Sequence, residues 1–292
     1  MAAWTFCPVH VEWQAENHKA DVFSRSKRQQ RLGIRLEFGA GDRLARRAPG
    51  DATGARSATP TVKRAIVWLR RSLLVLLAAF VCYQLWLLGW VLYWGNANPG
   101  MTRFMEIRLD ELRTRKPQAQ LSREWLPYER ISPHLKRALV ASEDGKFMMH
   151  QGFDWDGIQK AIEKNERKGK AVAGGSTITQ QLAKNLFLSP ERSLLRKGEE
   201  AVIAVMIETA WSKRRIFEVY LNVIEWGNGI FGAEAAARHY YGISASQLSA
   251  EQAARLAAMV PSPRFYDRNR NAPGLVRKSE VILARMPSAR IP

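Results

Sequence analysis

A mainly α-helical domain behind a single membrane-crossing helix is the fold class this sequence predicts. Three observations lead there. An uncharged apolar run from Ser72 to Trp94 makes a helix about 34 Å long, enough to cross a bilayer. Downstream, apolar residues recur at helical spacing behind Asp and Ser start signals. Very little of the remainder alternates with the period of two that a half-buried strand needs.

The chain has 292 residues, which suits one substantial domain with appendages. Its net charge of +18 raises nucleic acid as a partner. The distribution argues against that. Residues 1–71 hold 14 Lys/Arg against 6 Asp/Glu, and the rest of the surplus is spread over a large domain. No zinc spacing, aromatic RNA-binding motif or basic helix stripe stands out, and a membrane explains the basic tail better.

We divide the chain into a basic tail (1–71), read as disordered over 1–61, a signal anchor (72–94), a juxtamembrane spacer (95–124) and a catalytic domain (125–292). Lys63, Arg64, Arg70 and Arg71 precede the anchor, while Trp86, Trp90, Tyr93 and Trp94 crowd its far half. That asymmetry places the N-terminus in the cytoplasm and the domain on the far side of the membrane. A cleaved signal peptide fits less well, because the run is long and no clear A-x-A site follows. Cys7 and Cys82 fall in the tail and the anchor, so the exported part has neither a disulfide nor a cysteine nucleophile.

Within the spacer, Met101–Gln120 reads as a charged helix. His134–Ser142 is the next helix, with Leu135, Ala138, Leu139 and Val140 as its apolar face and Glu143 at its end. Asp154 caps a helix over Trp155–Lys168. Lys164, Arg167, Lys168 and Lys170 then lead into a loop at Gly174-Gly175. Ser176–Phe187 should be a helix entered from that pair, with N–H groups free for an anion. Ser193 caps a long helix, Leu194–Trp211, whose core face is Val202, Val205, Met206 and Ala210. Lys213–Leu221, Ala233–Tyr241, Ala250–Met259 and about Ala272–Met286 complete the series.

Two short matches are decoys. Gly227-Asn-Gly229-Ile-Phe-Gly232 is a formal G-x-G-x-x-G, but a dinucleotide site needs a preceding strand in a βαβ unit. These glycines are read as a tight turn between two helices. Ser24-Arg-Ser-Lys27 matches S-x-x-K on the wrong side of the membrane, with no K-T-G anywhere in the chain.

Chemistry concentrates between residues 143 and 200. Glu143-Asp144 with Phe147, His150, Gly152 and Asp154 comes first. Gly174-Gly175-Ser176-Thr177-Ile178-Thr179-Gln180-Gln181 with Lys184-Asn185 follows, and Arg196-Lys197 with Glu200 closes the stretch. Hydroxyls, amides and cations in such density suit a polar, anionic ligand better than a core. A lone Glu at a helix end is ordinarily solvated, and Arg196 and Lys197 one turn before Glu200 make an ordinary surface ladder. The spacing of the whole set changes that weighting.

These clusters, followed by Lys213-Arg-Arg215-Ile216-Phe-Glu218-Val-Tyr220-Leu221-Asn222, resemble the bacterial peptidoglycan glycosyltransferases over about residues 125–285. Four motifs in family order make the likeness specific. It implies a lysozyme-like helical domain that polymerises lipid II into β-1,4 glycan strands and releases undecaprenyl pyrophosphate with inversion. It makes Glu143 the general base and Glu200 a second essential carboxylate. Lys184, Arg192, Arg196 and Lys197 become clamps for the departing pyrophosphate, since fixed cations stabilise charge that grows in the transition state. Ser176, Thr177, Gln180, Gln181 and Asn185 become ligands for sugar or phosphate oxygens. Lys160 stands where other members often carry Arg and lacks the bidentate geometry. Asp144 and Asp154 are read as caps or partners, and His150 as a packing or hydrogen-bonding residue.

The lack of K-T-G resembles the monofunctional members. The resemblance leaves Mg²⁺ or another divalent ion open, since no ligand set stands out. It also leaves open partners from the cell-division or wall-synthesis machinery. Two other readings compete: a glycan-cleaving lytic transglycosylase or muramidase, and a silent membrane scaffold. The first has no use for a pyrophosphate clamp, and the second has none for two intact carboxylates.

Overall fold

Start signals set most helix boundaries. The computed structural model describes residues 60–169, 174–191 and 193–292, so Cys7, Ser24, Lys170, Arg192 and the tail up to residue 59 lie outside the described residues. The first helix, α1, runs Pro60–Asn96 and the second, α2, Arg103–Arg115. Ser132 caps α3 (Pro133–Glu143), and Asp154 caps α4 (Trp155–Lys168) by accepting the Gly157 N–H. A capping box opens α5 (Ile178–Phe187). There Thr177 Oγ1 accepts the Gln180 N–H, while the Gln180 side chain accepts the Thr177 N–H. Ser193 and Ser212 cap α6 (Leu194–Ala210) and α7 (Lys213–Val223). The chain continues through α8 (Ala233–Tyr241), α9 (Ala250–Met259), α10 (Pro263–Arg268) and α11 (Pro273–Arg285). Helices α4, α8 and α9 have the bounds expected from sequence.

The fold is mainly α, with three short strands that sequence did not anticipate. They are β1 (Ser122–Arg123), β2 (Glu225–Gly227) and β3 (Ile230–Phe231), in the order β1-β3-β2. Strand β3 pairs parallel to β1 and antiparallel to β2. The glycine stretch is thus a hairpin and a helix entry, not a turn between helices. Gly232 sits at φ +85°, and a Cβ there would lie 2.8 Å from the Asn222 carbonyl. No other residue fits.

Helix α5 is the centre of the core. It packs on α6 and α7, and Ile178, Leu182, Ala183 and Leu186 are fully enclosed. Phe147, Phe217 and Tyr220 close around it, and α9 packs between α3 and α11 on the other side.

The orientation of α6 differs from expectation. Val202 and Val205 are 43% and 51% exposed, and Ala210 is exposed too, while Ile203, Ala204 and Ile207 are enclosed. Of the expected face, Met206 alone packs against the core. Helix α6 is apolar on several sides, so spacing could not choose its buried stripe. Burial of Glu200, on the same i, i+3, i+4, i+7 stripe, chose it.

From Ile66 to Val81 the large apolar side chains of α1 are exposed, as befits a membrane anchor, whereas Leu87 and Val91 are enclosed. Among the described residues α1 is the one helix long and apolar enough to span a bilayer.

Residues 95–124, expected as a spacer, include a packed element. Met105 and Arg108 of α2 are enclosed, and the Arg108 guanidinium bonds both Glu225 oxygens, with Nη2 at 3.1 and 3.3 Å. Burial pushes the Glu225 carboxyl above its usual range, and Arg108 opposes that shift. Sequence could not show this pair, whose members stand 117 residues apart. Arg108→Met should leave a buried carboxylate uncompensated and cost about 3–5 kcal/mol, read from urea unfolding. A loss below about 1 kcal/mol would show that α2 is dispensable.

Candidate active site

Helix α3 ends at Glu143, and the next residue fixes where that end points. The Asp144 side chain is 2% exposed. Its Oδ2 accepts the Ile178 N–H at 3.0 Å, and Oδ1 lies 2.9 Å from His150 Nε2. A carboxylate is thereby seated on the positive N-terminal end of α5. Three of the N–H groups expected to be free for a ligand are in use. Asp144 takes that of Ile178, and Thr177 takes those of Gln180 and Gln181. The anion at this helix end belongs to the protein.

Glu143 is held from several directions. Ser142 Oγ donates to its Oε1 at 2.9 Å, and Gln181 Nε2 donates to its Oε2 at 3.0 Å. Tyr220 O–H donates to Gln181 Oε1 at 2.9 Å, which obliges the amide to turn its N–H₂ toward Glu143. Lys278 Nζ on α11 stands 4.0 Å from Glu143 Oε1. Burial draws the Lys278 ammonium below the ordinary lysine range, and the charge of Glu143 opposes that shift. The Glu143 side chain is 9% exposed, and that exposed edge faces a cavity of about 380 Å³. Glu143, Asp144, Asp154, Gly174, Ser176 and Arg285 line this space, whose charge is mostly negative.

A second cavity, of about 590 Å³, is lined by Gln181, whose amide bonds Glu143 on the wall of the first. Lys184, Arg196, Arg264 and Arg268 contribute to its lining, with Glu225 as the carboxylate among them. Its charge is therefore mostly positive. The Glu200 side chain is 4% exposed and holds Arg196 Nη1 at 2.8 Å and the Lys197 ammonium. The same ammonium donates to Ser176 Oγ at 3.0 Å. What reads in sequence as a surface ladder is a buried carboxylate aligning two cations. Arg196 Nε is enclosed without a hydrogen-bond partner, a donor left over for a ligand. Burial lowers the Lys184 ammonium, with Glu200 pulling the other way.

The other expected ligands divide. Gln181, Lys184, Asn185 and Arg196 line the cationic cavity, and Ser176 the acidic one. Asn185 Nδ2 also donates back to the Gln181 carbonyl. Thr177 and Gln180 are enclosed and engaged in the capping box, and Thr177 also lines the acidic cavity. Lys160 is exposed on α4 and lines neither cavity. Arg192 lies outside the described residues. Among the described residues no group of three or more His, Cys, Asp or Glu is arranged for a metal ion.

Sequence reasoning missed Lys278, Arg264, Arg268 and Arg285, and placed Tyr220 merely on an apolar face. The cations come from α10, a short helix of weak pattern, and from the polar side of α11. Only the fold carries them to the cleft.

The chain is similar to known proteins over most of the length that carries this site. The family model described as "Transglycosylase" matches residues 110–287. A biosynthetic peptidoglycan transglycosylase of Dechloromonas aromatica is 69% identical over 225 residues, covering 77% of this chain and 97% of the relative. Proteins of the same description from Nitrosospira multiformis and Chromobacterium violaceum are 60% and 59% identical, each covered to 98% and each spanning 77% of this chain. The chain belongs to the transglycosylase family, as a glycosyltransferase of peptidoglycan synthesis.

Proposed function

We propose that this enzyme polymerises lipid II by inverting transfer, with Glu143 as general base. The observation that carries this reading is a pair of cavities of opposite charge, with Glu143 on the wall of the acidic one bonded to Gln181 on the wall of the other. Glycan extension needs that polarity. The 4-hydroxyl of the GlcNAc of lipid II is neutral and must lose a proton, which suits the acidic side. The pyrophosphate of the growing chain is anionic and gains charge as it leaves, which suits the cationic side.

The step balances without an added reagent. Glu143 accepts the hydroxyl proton while that oxygen attacks C1 of the terminal MurNAc from the face opposite the pyrophosphate. The C1–O bond to undecaprenyl pyrophosphate breaks with its electron pair, and a β-1,4 bond forms. Lys184 and the Glu200-aligned Arg196 and Lys197 hold the departing group.

A glycan-cleaving enzyme would also suit a Glu in a helical cleft. It would have no use for a cavity walled by Lys184, Arg196, Arg264 and Arg268. The basic flank of α1 supports a cytoplasmic N-terminus, with the domain on the periplasmic face of the inner membrane. A C-terminal alkaline-phosphatase fusion should then be active in cells, and an inactive fusion would reverse the orientation.

Glu143→Gln keeps size and most hydrogen bonding but cannot take a proton at neutral pH. Glycan synthesis from labelled lipid II should fall by about 10²–10⁴-fold with an unchanged thermal melt. Activity within a few-fold of the native enzyme would sink the mechanism. Lys184 gives a second test. Because burial lowers its ammonium, charge is lost as pH rises earlier than for an ordinary lysine. The KM for lipid II should therefore climb on the alkaline side. Lys184→Arg, always charged, should start with a higher KM but hold it flat across the same range. Parallel curves for the two enzymes would remove Lys184 from the clamp.

A further inference from the structure

The far end of α1 is tied to the catalytic domain by bonds that no property of an anchor requires. Arg215 of α7 reaches across to it. Its Nε and Nη2 donate to the Trp94 carbonyl at 3.2 and 3.0 Å, and Nη2 also donates to the Ala97 carbonyl at 2.6 Å. Nη1 donates to Asn98 Oδ1 at 3.0 Å and to Glu218 Oε2 at 2.8 Å. One turn back, Trp211 Nε1 donates to the Val91 carbonyl at 2.7 Å. Leu87 and Val91 are enclosed, and the Trp94 ring lies 5.2 Å from that of Phe187 at the end of α5.

The last carbonyls of a helix lack intrahelical partners and carry its negative dipole end. A guanidinium bonded there is a charged cap supplied by another element. Water or a local side chain would satisfy those carbonyls in a helix that merely tethers. Here the cap comes from the α6–α7 corner, so anchor and catalytic domain are joined as one body.

We propose that α1 is a strut and that Arg215 and Trp211 are positioning residues for a bilayer-borne substrate. The proposal rests on the lipid II reading. A substrate whose tail stays in the membrane presents its pyrophosphate at a fixed height. A domain on a loose tether would have to find that height at each turnover, whereas a strut holds the cationic cavity there in advance. In detergent micelles the substrate brings its own small lipid environment, and the strut confers no advantage.

The test uses the full chain with lipid II, once in bilayer nanodiscs and once in detergent micelles. Two variants loosen the joint from opposite sides. Arg215→Gln with Trp211→Phe removes the donors. Gly95→Leu leaves them in place and acts from α1, because a Cβ at Gly95 meets Trp211 Nε1 at 3.2 Å. Spin labels on Cys82 and on a Glu280→Cys site, in a Cys7→Ser background, report the distance between anchor and domain. The native joint should give one narrow distance distribution, and both variants a broad one. Glycan synthesis in nanodiscs should fall by about tenfold or more, and in micelles by less than about threefold.

Equal losses in both settings would mean a merely structural role and would overturn the proposal. So would a broad distribution in the native protein, or full nanodisc activity with a broadened joint. A native protein inactive on lipid II in both settings would instead defeat the substrate reading, with the distance distributions still deciding whether the joint is rigid.

Discussion

The seat of the Asp144 carboxylate on the first turn of α5 is the interaction on which the site depends. A buried carboxylate is tolerated only when donors surround it, and the Ile178 N–H and His150 provide them. The same bonds butt the C-terminal end of α3 against the N-terminal end of α5. Glu143, the residue before Asp144, is then brought to Gln181, one turn into α5. Glu143 and the amide that bonds it are products of one junction between two helices. The Tyr220 hydroxyl, enclosed in the core, extends that order one residue further by fixing the amide.

From this junction the polarity of the cleft follows. Helix α3 and the α4 cap bring carboxylates to one cavity, while α5, α6 and α10 bring cations to the other. Glu200 keeps Arg196 and Lys197 in place, and its burial makes that bond stronger than the surface ladder it resembles. Transition-state stabilisation by fixed charge requires such prior alignment, because reorientation during the reaction would consume the benefit. Leaving Arg196 Nε enclosed and unpartnered is a cost to the fold that an anionic ligand would offset.

The periphery is less accessory than its sequence suggests. Arg108 ties α2 to the hairpin through Glu225, and Arg215 ties the end of α1 to α7. In both cases an arginine fork bridges elements far apart in the chain, a role that its planar, multidentate geometry fits better than lysine would.

Sequence by itself determined the helical class, the long apolar helix α1, the order of motifs and most helix starts. Those features are written in local patterns: an uncharged run, a Ser or Asp before an apolar repeat, a spacing of three and four. Glu143 and the cation-bearing motifs were legible for the same reason. Tertiary structure alone decided which of the polar residues meet. It left Lys160 on the surface and aimed α6 so that Val202 and Val205 face outward, whereas the capping box of Thr177 and Gln180 is a local pattern three residues apart. It also brought Lys278, Arg264 and Arg268 to the cleft from segments with no motif of their own. Burial depends on what competes for each face, and those competitors lie tens of residues away in sequence. The hydrogen-bond chain from Tyr220 through Gln181 to Glu143 spans residues 143 to 220, and nothing local in the sequence encodes it.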